Sequence, residues 1–493
     1  MSGVVTQKRE DRAGVYINVR GEGQALHREF GLGCMADSDS SLQQGIQCQE
    51  MNSISSLITM SGAAFIMHSP LGCSGCVGGF NQLYHVGQFH DGVQHIKNAR
   101  YIATNLDERD VILGGEQKLT DAVLEAQRRY TPDVIFILTS CVSGIIGDDV
   151  DTIAAELDKQ VSARVIPIHC EGFRSKLPAT GFDAAFNAIK HYILPKPEEV
   201  TERDDNLINI FAPMSMGIAD QKELARLVEP LGLVPNFIPF YASLEKLRKI
   251  VTARVSASIC QVFADEFVEW LGDTYGIPYA ITCMPLGVKS TDAWLTAIAE
   301  KVGKEAEAAA FIASEHARVA PQIAEVRERL QGKTAYVSTG TGRAFAAAAL
   351  VEDYGMKLAG LRTRSYETGI HDNVERLTEQ YGGQYLLDIA HGGQGHQEVS
   401  YLKKLKPDLI IGAASGAHRL GIPVSHVLDA ARPTLGYSGI LYVGRKLAEA
   451  IENTAFIEKL AQHRRPPYKD SWYDADYKKF NRAAAGSGGD ADV

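Results

Sequence analysis

The sequence of 493 residues contains no long hydrophobic run. No apolar stretch approaches the ~18 residues that a membrane-spanning helix needs. The N-terminal sequence MSGVVTQKREDR is polar and lacks the apolar core of a secretory signal peptide. These absences predict a cytoplasmic protein that does not associate with a membrane.

An excess of positive charge is also missing. The chain has 50 Lys and Arg against 60 Asp and Glu, which gives a formal net charge of −10. Proteins that bind nucleic acids usually carry a basic face, so we expect no nucleic-acid partner. An acidic chain of this kind is compatible with docking to a protein that carries a complementary patch.

Nucleotide-binding motifs are incomplete. There is no GxxxxGK[ST] phosphate-binding loop, so the chain does not hydrolyse ATP by that route. The sequence STGTGRAF, from Ser338, begins like a dinucleotide loop but does not complete GxGxxG, because Ala344 follows Arg343. Two alternatives stay open: a plain tight turn, or a glycine-rich loop that lets Arg343 reach an anionic cofactor.

Cysteine is scarce, and its spacing excludes the common compact metal motifs. Cys73 and Cys76 form one CxxC, but no second CxxC and no C-x₂-C-x₂-C run follows. In a reducing cytoplasm the eight cysteines are ligands or core residues rather than disulfides. The pattern alone leaves a redox pair, half a zinc site or small buried side chains as interpretations. Cys34, Cys76, Cys170 and Cys283 are candidates for core residues or for neighbours of a cluster.

Three other thiols stand in separate motifs beside small residues. Cys48 lies in GIQCQE, Cys73 in HSPLGCSGC and Cys141 in TSCVSGIIGDD. Thiolate ligation of an iron–sulfur cluster needs cysteines on loops that converge in the fold. We therefore predict that these three thiols share one metal site.

Alternating apolar strands and amphipathic helices predict an α/β fold with three Rossmann-like domains and parallel sheets. The runs TPDVIFILTSC and ARVIPIHC are typical of strands buried on both faces, and they end on Cys141 and Cys170. We expect a loose polar arm over 1–30 and a disordered tail over 481–493. Between them we expect three domains, with the boundaries 31–205, 206–331 and 332–480.

Four motifs, in order and spacing, resemble the nitrogenase component 1 family and its alpha-type subunit most closely. They are HSPLGCSG, TNLDERDVILGGEQKL, TSCVSGIIGDD and PIHCEGFR, and the resemblance covers roughly residues 30–450. It implies that Cys48, Cys73 and Cys141 bind a P-cluster-type iron–sulfur cluster at the interface with a homologous beta-type subunit. It also implies that Cys260 binds a catalytic cluster similar to the iron–molybdenum cofactor.

The sequence departs from nitrogenase at the cofactor. Pro178 and Phe182 fall where the family has a Gln and a His, and Leu435 falls near the position of the His that binds the heterometal. The resemblance thus implies a cofactor without molybdenum, in a pocket that includes Phe182 and Arg343.

Other histidines and acids could serve the same pocket. The loop HGGQGH could bring His391 or His396 to the cluster as a cofactor-binding residue, although a surface loop is the alternative. Glu171 and Asp183 are candidates for proton relay. The remaining imidazoles of the third domain are His371, His418 and His426.

Among nitrogenase-like enzymes, the chain looks most like the catalytic alpha-type subunit of methylthio-alkane reductase, which reductively cleaves small thioethers for sulfur acquisition. That resemblance implies an α2β2 assembly with the beta-type subunit and a homodimeric iron protein that uses the ATP. The alternatives are a scaffold for nitrogenase cofactor assembly and a subunit of a nitrogenase-like tetrapyrrole reductase. A tetrapyrrole reductase would not need Cys260.

Overall fold

The computed structural model describes residues 6–37, 48–90, 93–213, 216–390, 395–414, 417–429, 431–463 and 469–474. It contains three sheets in which all strand pairs but one are parallel, with helices on their faces. This arrangement confirms the predicted α/β class with parallel sheets. None of the described helices is long and apolar enough to cross a membrane.

The N-terminal segment is folded. It forms helix α1 (Arg9–Ala13), strand β1 (Asn18–Glu22) and helix α2 (Gly23–Gly31). Strand β1 adds to the third sheet as its antiparallel edge strand. The expectation of a loose arm does not hold for residues 9–31, because polar side chains of this segment have buried partners far along the chain.

The first sheet has the order β3-β2-β4-β5. All six residues of β2 and all six of β4 are buried, as expected for central strands covered on both faces. Its strands are β2 (Ala63–His68), β3 (Tyr101–Ala103), β4 (Val134–Thr139) and β5 (Arg164–Ile168). Its helices are α3 (Gln49–Leu57), α4 (Leu71–Gly75), α5 (Asn81–His90), α6 (Glu108–Leu113), α7 (Glu116–Tyr130), α8 (Cys141–Ile146), α9 (Val150–Leu157) and α10 (Thr180–Tyr192).

The second sheet has the order β7-β6-β8-β9, and its last helix is the longest described in the chain. Its strands are β6 (Asp204–Ala212), β7 (Val234–Pro239), β8 (Ala253–Ser258) and β9 (Tyr279–Ile281). Its helices are α11 (Ile218–Val228), α12 (Leu244–Arg248), α13 (Asp265–Tyr275), α14 (Val288–Val302) and α15 (Glu305–Leu330).

The third sheet has the order β1-β12-β11-β10-β13-β14. Its strands besides β1 are β10 (Thr334–Ser338), β11 (Lys357–Thr363), β12 (Leu386–Ala390), β13 (Leu409–Gly412) and β14 (Val424–Ser425). Its helices are α16 (Thr341–Asp353), α17 (His371–Tyr381), α18 (Gly395–Leu405), α19 (Gly436–Glu452), α20 (Ala455–His463) and α21 (Asp470–Tyr473). Helix α16 is rich in alanine and buried over 341–351, because it packs against α14 and α17 as well as the sheet.

Candidate functional site

The first group of thiols lies at the carboxyl edge of the first sheet. Cys73 lies in α4 after β2, Cys141 is the first residue of α8 after β4, and Cys48 immediately precedes α3. Because β2 and β4 are parallel neighbours, their carboxyl ends meet at one edge. The structure therefore brings the three predicted ligands together, although each is more than 20 positions from the next in the sequence.

A glycine that the sequence did not single out closes this group. A Cβ atom at Gly172 would lie 3.3 Å from Cys141 Sγ and 3.8 Å from Cys48 Sγ. Burial, together with charge at Glu50, Cys48 and Cys141, raises the pKa of Cys73 to about 12. The thiols are therefore close enough to influence one another's ionisation.

Hydrogen bonds fix the ends of the two strands. The Ser140 hydroxyl donates to the His68 carbonyl at 2.8 Å and accepts from the Ser143 N–H at 3.3 Å, which caps α8. His68 Nε2 lies 2.8 Å from Asp148 Oδ2. These bonds hold the turns that carry Cys73 and Cys141 in one fixed arrangement.

The three thiols are half-buried and lie beside exposed apolar side chains. Leu71 is 66% exposed, Ile145 75% and Phe173 55%, and each lies within four positions of Cys73, Cys141 or Gly172. We name these three side chains the apolar rim. Large apolar side chains grouped at a surface indicate an interface for another protein.

Four further cysteines, apart from Cys260, differ in their exposure. Cys170 and Cys283 are buried, and the Cys170 thiol donates to the Thr139 carbonyl at 3.3 Å. Cys34 and Cys76 are exposed. The interpretation as small buried side chains thus describes Cys170 and Cys283 and does not describe Cys34 and Cys76.

Cys260 lies in a cavity of about 310 Å³. The residues that bound the cavity come from the segments around all three sheets. It follows β8, and its N–H donates to the Ser258 hydroxyl at 3.3 Å. Burial raises the pKa of the Cys260 thiol to about 11. Six apolar residues form much of the wall: Leu177, Pro178, Phe182, Val262, Phe263 and Met284.

The glycine-rich loop STGTG approaches this thiol closely. A Cβ at Gly342 would lie 2.4 Å from Cys260 Sγ, so only glycine leaves room for the sulfur. The sequence suggested two interpretations of this loop, a plain tight turn or a loop that lets Arg343 reach an anionic cofactor. Neither interpretation included this close approach to Cys260. Arg343 also lines the cavity, while its buried guanidinium donates to the Val427 carbonyl at 2.7 Å.

Phe182 forms an aromatic wall with Phe263, whose ring centre lies 4.9 Å away in an edge-on arrangement. Leu435 is buried at the start of α19, where its N–H donates to Asp220 Oδ1 at 2.9 Å. It is not among the described residues that line the cavity, whereas Leu428 from the same connection is. Phe182, Phe263 and Leu428 therefore present hydrocarbon to the cavity.

No histidine is among the described residues that line the cavity. His396 is buried in α18, and burial lowers its pKa. His391 and the side chain of His418 lie outside the described residues. His371 stacks on His27 with ring centres 4.3 Å apart, and burial lowers the pKa of His426.

The two candidate acids are held by other partners. Burial alone would raise the pKa of Glu171, but hydrogen bonds with His169 and Arg174 lower it to about 2. Asp183 pairs with Arg9 at 3.0 Å. Neither acid is among the described residues of the cavity wall.

The residues present fit two iron–sulfur groups. No three His, Cys, Asp or Glu side chains in the described part of the chain are spaced to hold a single metal ion. A cluster of several irons instead takes thiolates spread over its surface, each approached closely by backbone. Cys48 and Cys141 beside Gly172, and Cys260 beside Gly342, provide that combination.

The amino-acid sequence matches the family model described as nitrogenase component 1 type oxidoreductase over residues 48–452. The chain belongs to this family. The nitrogenase-like protein is 27% identical to the nitrogenase iron-molybdenum cofactor biosynthesis protein NifE of Methanococcus maripaludis over 406 residues, which cover 80% of this chain and 81% of that protein. It is 28% identical to the nitrogenase molybdenum-iron protein alpha chain of Methanosarcina barkeri over 336 residues, which cover 66% of this chain and 61% of that protein.

A solved structure of nitrogenase Cp1 at pH 6.5 has the same fold. It matches this nitrogenase-like chain with a TM-score of 0.70 at 21% identity, covering 88% of this chain and 93% of that one. The predicted resemblance to nitrogenase component 1, alpha type, is thereby confirmed. The relatives include both cofactor-biosynthesis proteins and alpha chains, so family membership is compatible with a catalytic role and with a carrier role.

Proposed function

We propose that this chain is the catalytic alpha-type subunit of a nitrogenase-like reductase that cleaves the carbon–sulfur bond of small thioethers. The observation that carries the proposal is the apolar wall beside Cys260, without a histidine among its described residues. The reaction is R–S–R′ + 2 e⁻ + 2 H⁺ → R–SH + R′–H. Dimethyl sulfide would give methanethiol and methane by this reaction. With 2-methylthioethanol the same two electrons and two protons would break the C–S and the C–O bond and give methanethiol, ethylene and water.

Cys260 would hold the catalytic cluster, and Cys48, Cys73 and Cys141 would hold half of a P-cluster-type cluster. When bound, these groups supply low-potential electrons to the substrate in the cavity. A beta-type subunit covering the apolar rim would provide the other ligands, in an α2β2 assembly. The electrons would come from a homodimeric iron protein that hydrolyses ATP.

The chain's own residues would bind and orient the substrate. Phe182 and Phe263 offer apolar surface to an uncharged thioether and exclude water from it. The apolar part of the wall would bind a small apolar molecule through buried area rather than through hydrogen bonds. The resemblance places Leu435 near the position of the family's metal-binding histidine, so we expect iron without molybdenum in the cavity.

Turnover tests the proposal directly. The purified chain with its beta-type partner, the iron protein, ATP and dimethyl sulfide should release methane. The Cys260→Ala variant should release none while keeping the iron held by the other three thiols, as measured by metal analysis. Wild-type protein with full iron content and no methane would overturn the catalytic role.

The second candidate is a scaffold that carries a precursor cluster, and the NifE relatives favour it. Such a carrier would pass its cluster to a cluster-free enzyme and would form no methane. A tetrapyrrole reductase subunit is a weaker alternative, because the Cys260 thiol faces the cavity. Binding of a macrocycle, detected by its visible absorption, would favour that alternative.

A further inference from the structure

The most deeply buried charge at the N-terminus belongs to Arg9, which is 0% exposed. Its Nη2 lies 3.0 Å from Asp183 Oδ1 and 2.8 Å from Asp265 Oδ1, and its Nη1 lies 2.9 Å from Glu367 Oε2. Arg12 adds a second cation, with Nη1 2.7 Å from Asp265 Oδ2. A buried guanidinium is tolerated only where acids pair with it, so this cluster fixes the position of α1.

The three acids come from three domains. Asp183 lies in α10 beside the first sheet, Asp265 begins α13 beside the second, and Glu367 follows β11 of the third. Each acid follows a residue of the Cys260 cavity wall by one or two positions. Those wall residues are Phe182, Phe263 and Ser365.

Further bonds join the same segment to the cavity wall. The Glu10 carboxylate accepts from the Ser175 hydroxyl at 2.7 Å and from the Lys176 N–H at 2.5 Å, just before Leu177 of the wall. Tyr16 and Tyr366 exchange two backbone hydrogen bonds of 2.8 Å. We name residues 9–16 the N-terminal clamp.

The clamp acts on the cavity through these partners. None of its residues is among the described residues that line the cavity. It also precedes the part of the chain that matches the family model, which begins at residue 48.

We propose that the N-terminal clamp is a releasable latch that holds the three walls of the Cys260 cavity together, and that its release admits a preassembled cluster. This inference rests on the proposed function only for the identity of what is admitted. With the clamp away, Asp183 and Asp265 lose both arginines and Glu367 loses Arg9. The mutual repulsion of the three acids then favours separation of the walls. With the clamp docked, the same acids are attracted to one point.

Alkylation of Cys260 measures opening of the cavity without turnover or metal. The full-length chain, purified without clusters, is treated with N-ethylmaleimide, and the modified peptides are quantified by mass spectrometry. Arg9→Met keeps the bulk of the side chain and removes its charge, so the Cys260 alkylation rate should rise about tenfold. Cys170, fully buried in the first domain, should stay protected and reports on global unfolding.

Two further variants keep the test decisive. Arg9→Lys retains a charge but loses the planar fork, so it should raise the rate only about threefold. Arg20→Met removes another buried arginine of the N-terminal segment, whose partner Asp388 is not at the cavity, and should leave the Cys260 rate unchanged. Arg9→Met is compared with wild type only if Cys170 stays protected in it. If Arg9→Met also exposes Cys170, the ratio of the Cys260 alkylation rate to the Cys170 alkylation rate in Arg9→Lys is compared with that ratio in wild type.

The inference is overturned if that ratio is unchanged in both Arg9 variants. It is also overturned if Arg20→Met raises the Cys260 rate as much as Arg9→Met does. Neither outcome depends on thioether reduction, so the latch can fail while the reductase stands. Conversely, absence of methane formation leaves the alkylation result intact.

Discussion

At the scale of single residues, two glycines control how closely the backbone approaches a thiol. Gly342 faces Cys260, and Gly172 faces Cys48 and Cys141. Neither has a positive φ. Glycine is therefore needed at both positions because it leaves space for the thiol, and not because the backbone conformation is unusual. An added methyl group would therefore act on the thiol before it acts on the fold.

The two glycines predict opposite effects on the two proposed clusters. Gly342→Ala would place Cβ 2.4 Å from Cys260 Sγ, so the variant should lose the cavity iron and keep the iron at Cys48 and Cys141. Gly172→Ala should do the reverse. Iron analysis with electron paramagnetic resonance distinguishes the two sites. Gly31→Ala, where no atom lies within 4 Å of the added Cβ, serves as the control. Equal iron loss in both site variants would contradict separate sites.

The wall residue Phe182 predicts a change in substrate affinity. Phe182→His puts a polar ring into the apolar wall, so the KM for dimethyl sulfide should rise about tenfold with a smaller change in kcat. Phe182→Leu keeps the hydrocarbon and should stay within about threefold of wild type. An unchanged KM in Phe182→His would remove the role of Phe182 in thioether binding.

At the scale of elements, Asp353 joins the end of α16 to the start of α14. Its Oδ2 accepts from the Val288 N–H at 2.9 Å, and burial raises its pKa from 3.8 to about 6. A raised carboxyl pKa contributes stability below the unfolded value, and that stability is lost as the pH rises through the folded value. The contribution of Asp353 to the free energy of unfolding of the wild-type protein should therefore fall as the pH rises from about 4 to about 6.

Asp353→Asn cannot ionise and keeps an acceptor for Val288. Its thermal unfolding midpoint should match that of wild type near pH 4 and exceed it at pH 7. The corresponding gain in free energy of unfolding at pH 7 is up to about 3 kcal/mol. Asp408→Asn is the control of opposite sign, because hydrogen bonds from Thr334 lower the Asp408 pKa although burial raises it. A constant offset between Asp353→Asn and wild type across this pH range would contradict the assignment.

Elements with a local signal were predictable from the sequence. The run VIFILT is apolar throughout because β4 is covered on both faces, and its position before Cys141 followed from the strand–helix alternation. From the sequence, Cys73 and Cys141 are expected to converge because thiolates of one cluster must do so. The structure shows how this happens, since β2 and β4 are parallel neighbours. The close approach of Gly342 to Cys260 was not predictable, because it depends on the packing of the third domain against the second.

At the scale of the whole molecule, the proposed function makes the first thiol group half of a site, and the apolar rim beside it predicts a partner. Ile145→Asp should weaken association with the beta-type subunit at least about tenfold, because it buries a charge in an apolar contact. Sedimentation velocity measures the shift from α2β2 toward free chains. Phe456→Asp, which changes an equally exposed residue of α20, should leave the assembly intact. Equal weakening by both variants would argue against an interface at the rim.

The charges that connect the domains were hidden from sequence reasoning. Arg9 and Glu367 are 358 positions apart, and a polar N-terminal stretch gives no sign of such a partner. Recognition of the family did supply Phe182 and Cys260 as neighbours, and the structure places both in one cavity. A sequence does not show which of its charged residues becomes buried, because burial depends on how distant segments pack together.

Strand β1 has a consequence for biosynthesis. Its residues emerge from the ribosome early, yet Asn18 pairs with Ala390 and Glu22 with Leu386. At about 5–20 residues per second, synthesis of the intervening chain takes roughly 20–70 s. During that interval the N-terminal segment has no strand to pair with, so the first two domains can fold before it docks. A segment that is made long before its partner strand would then be among the last to reach its native position.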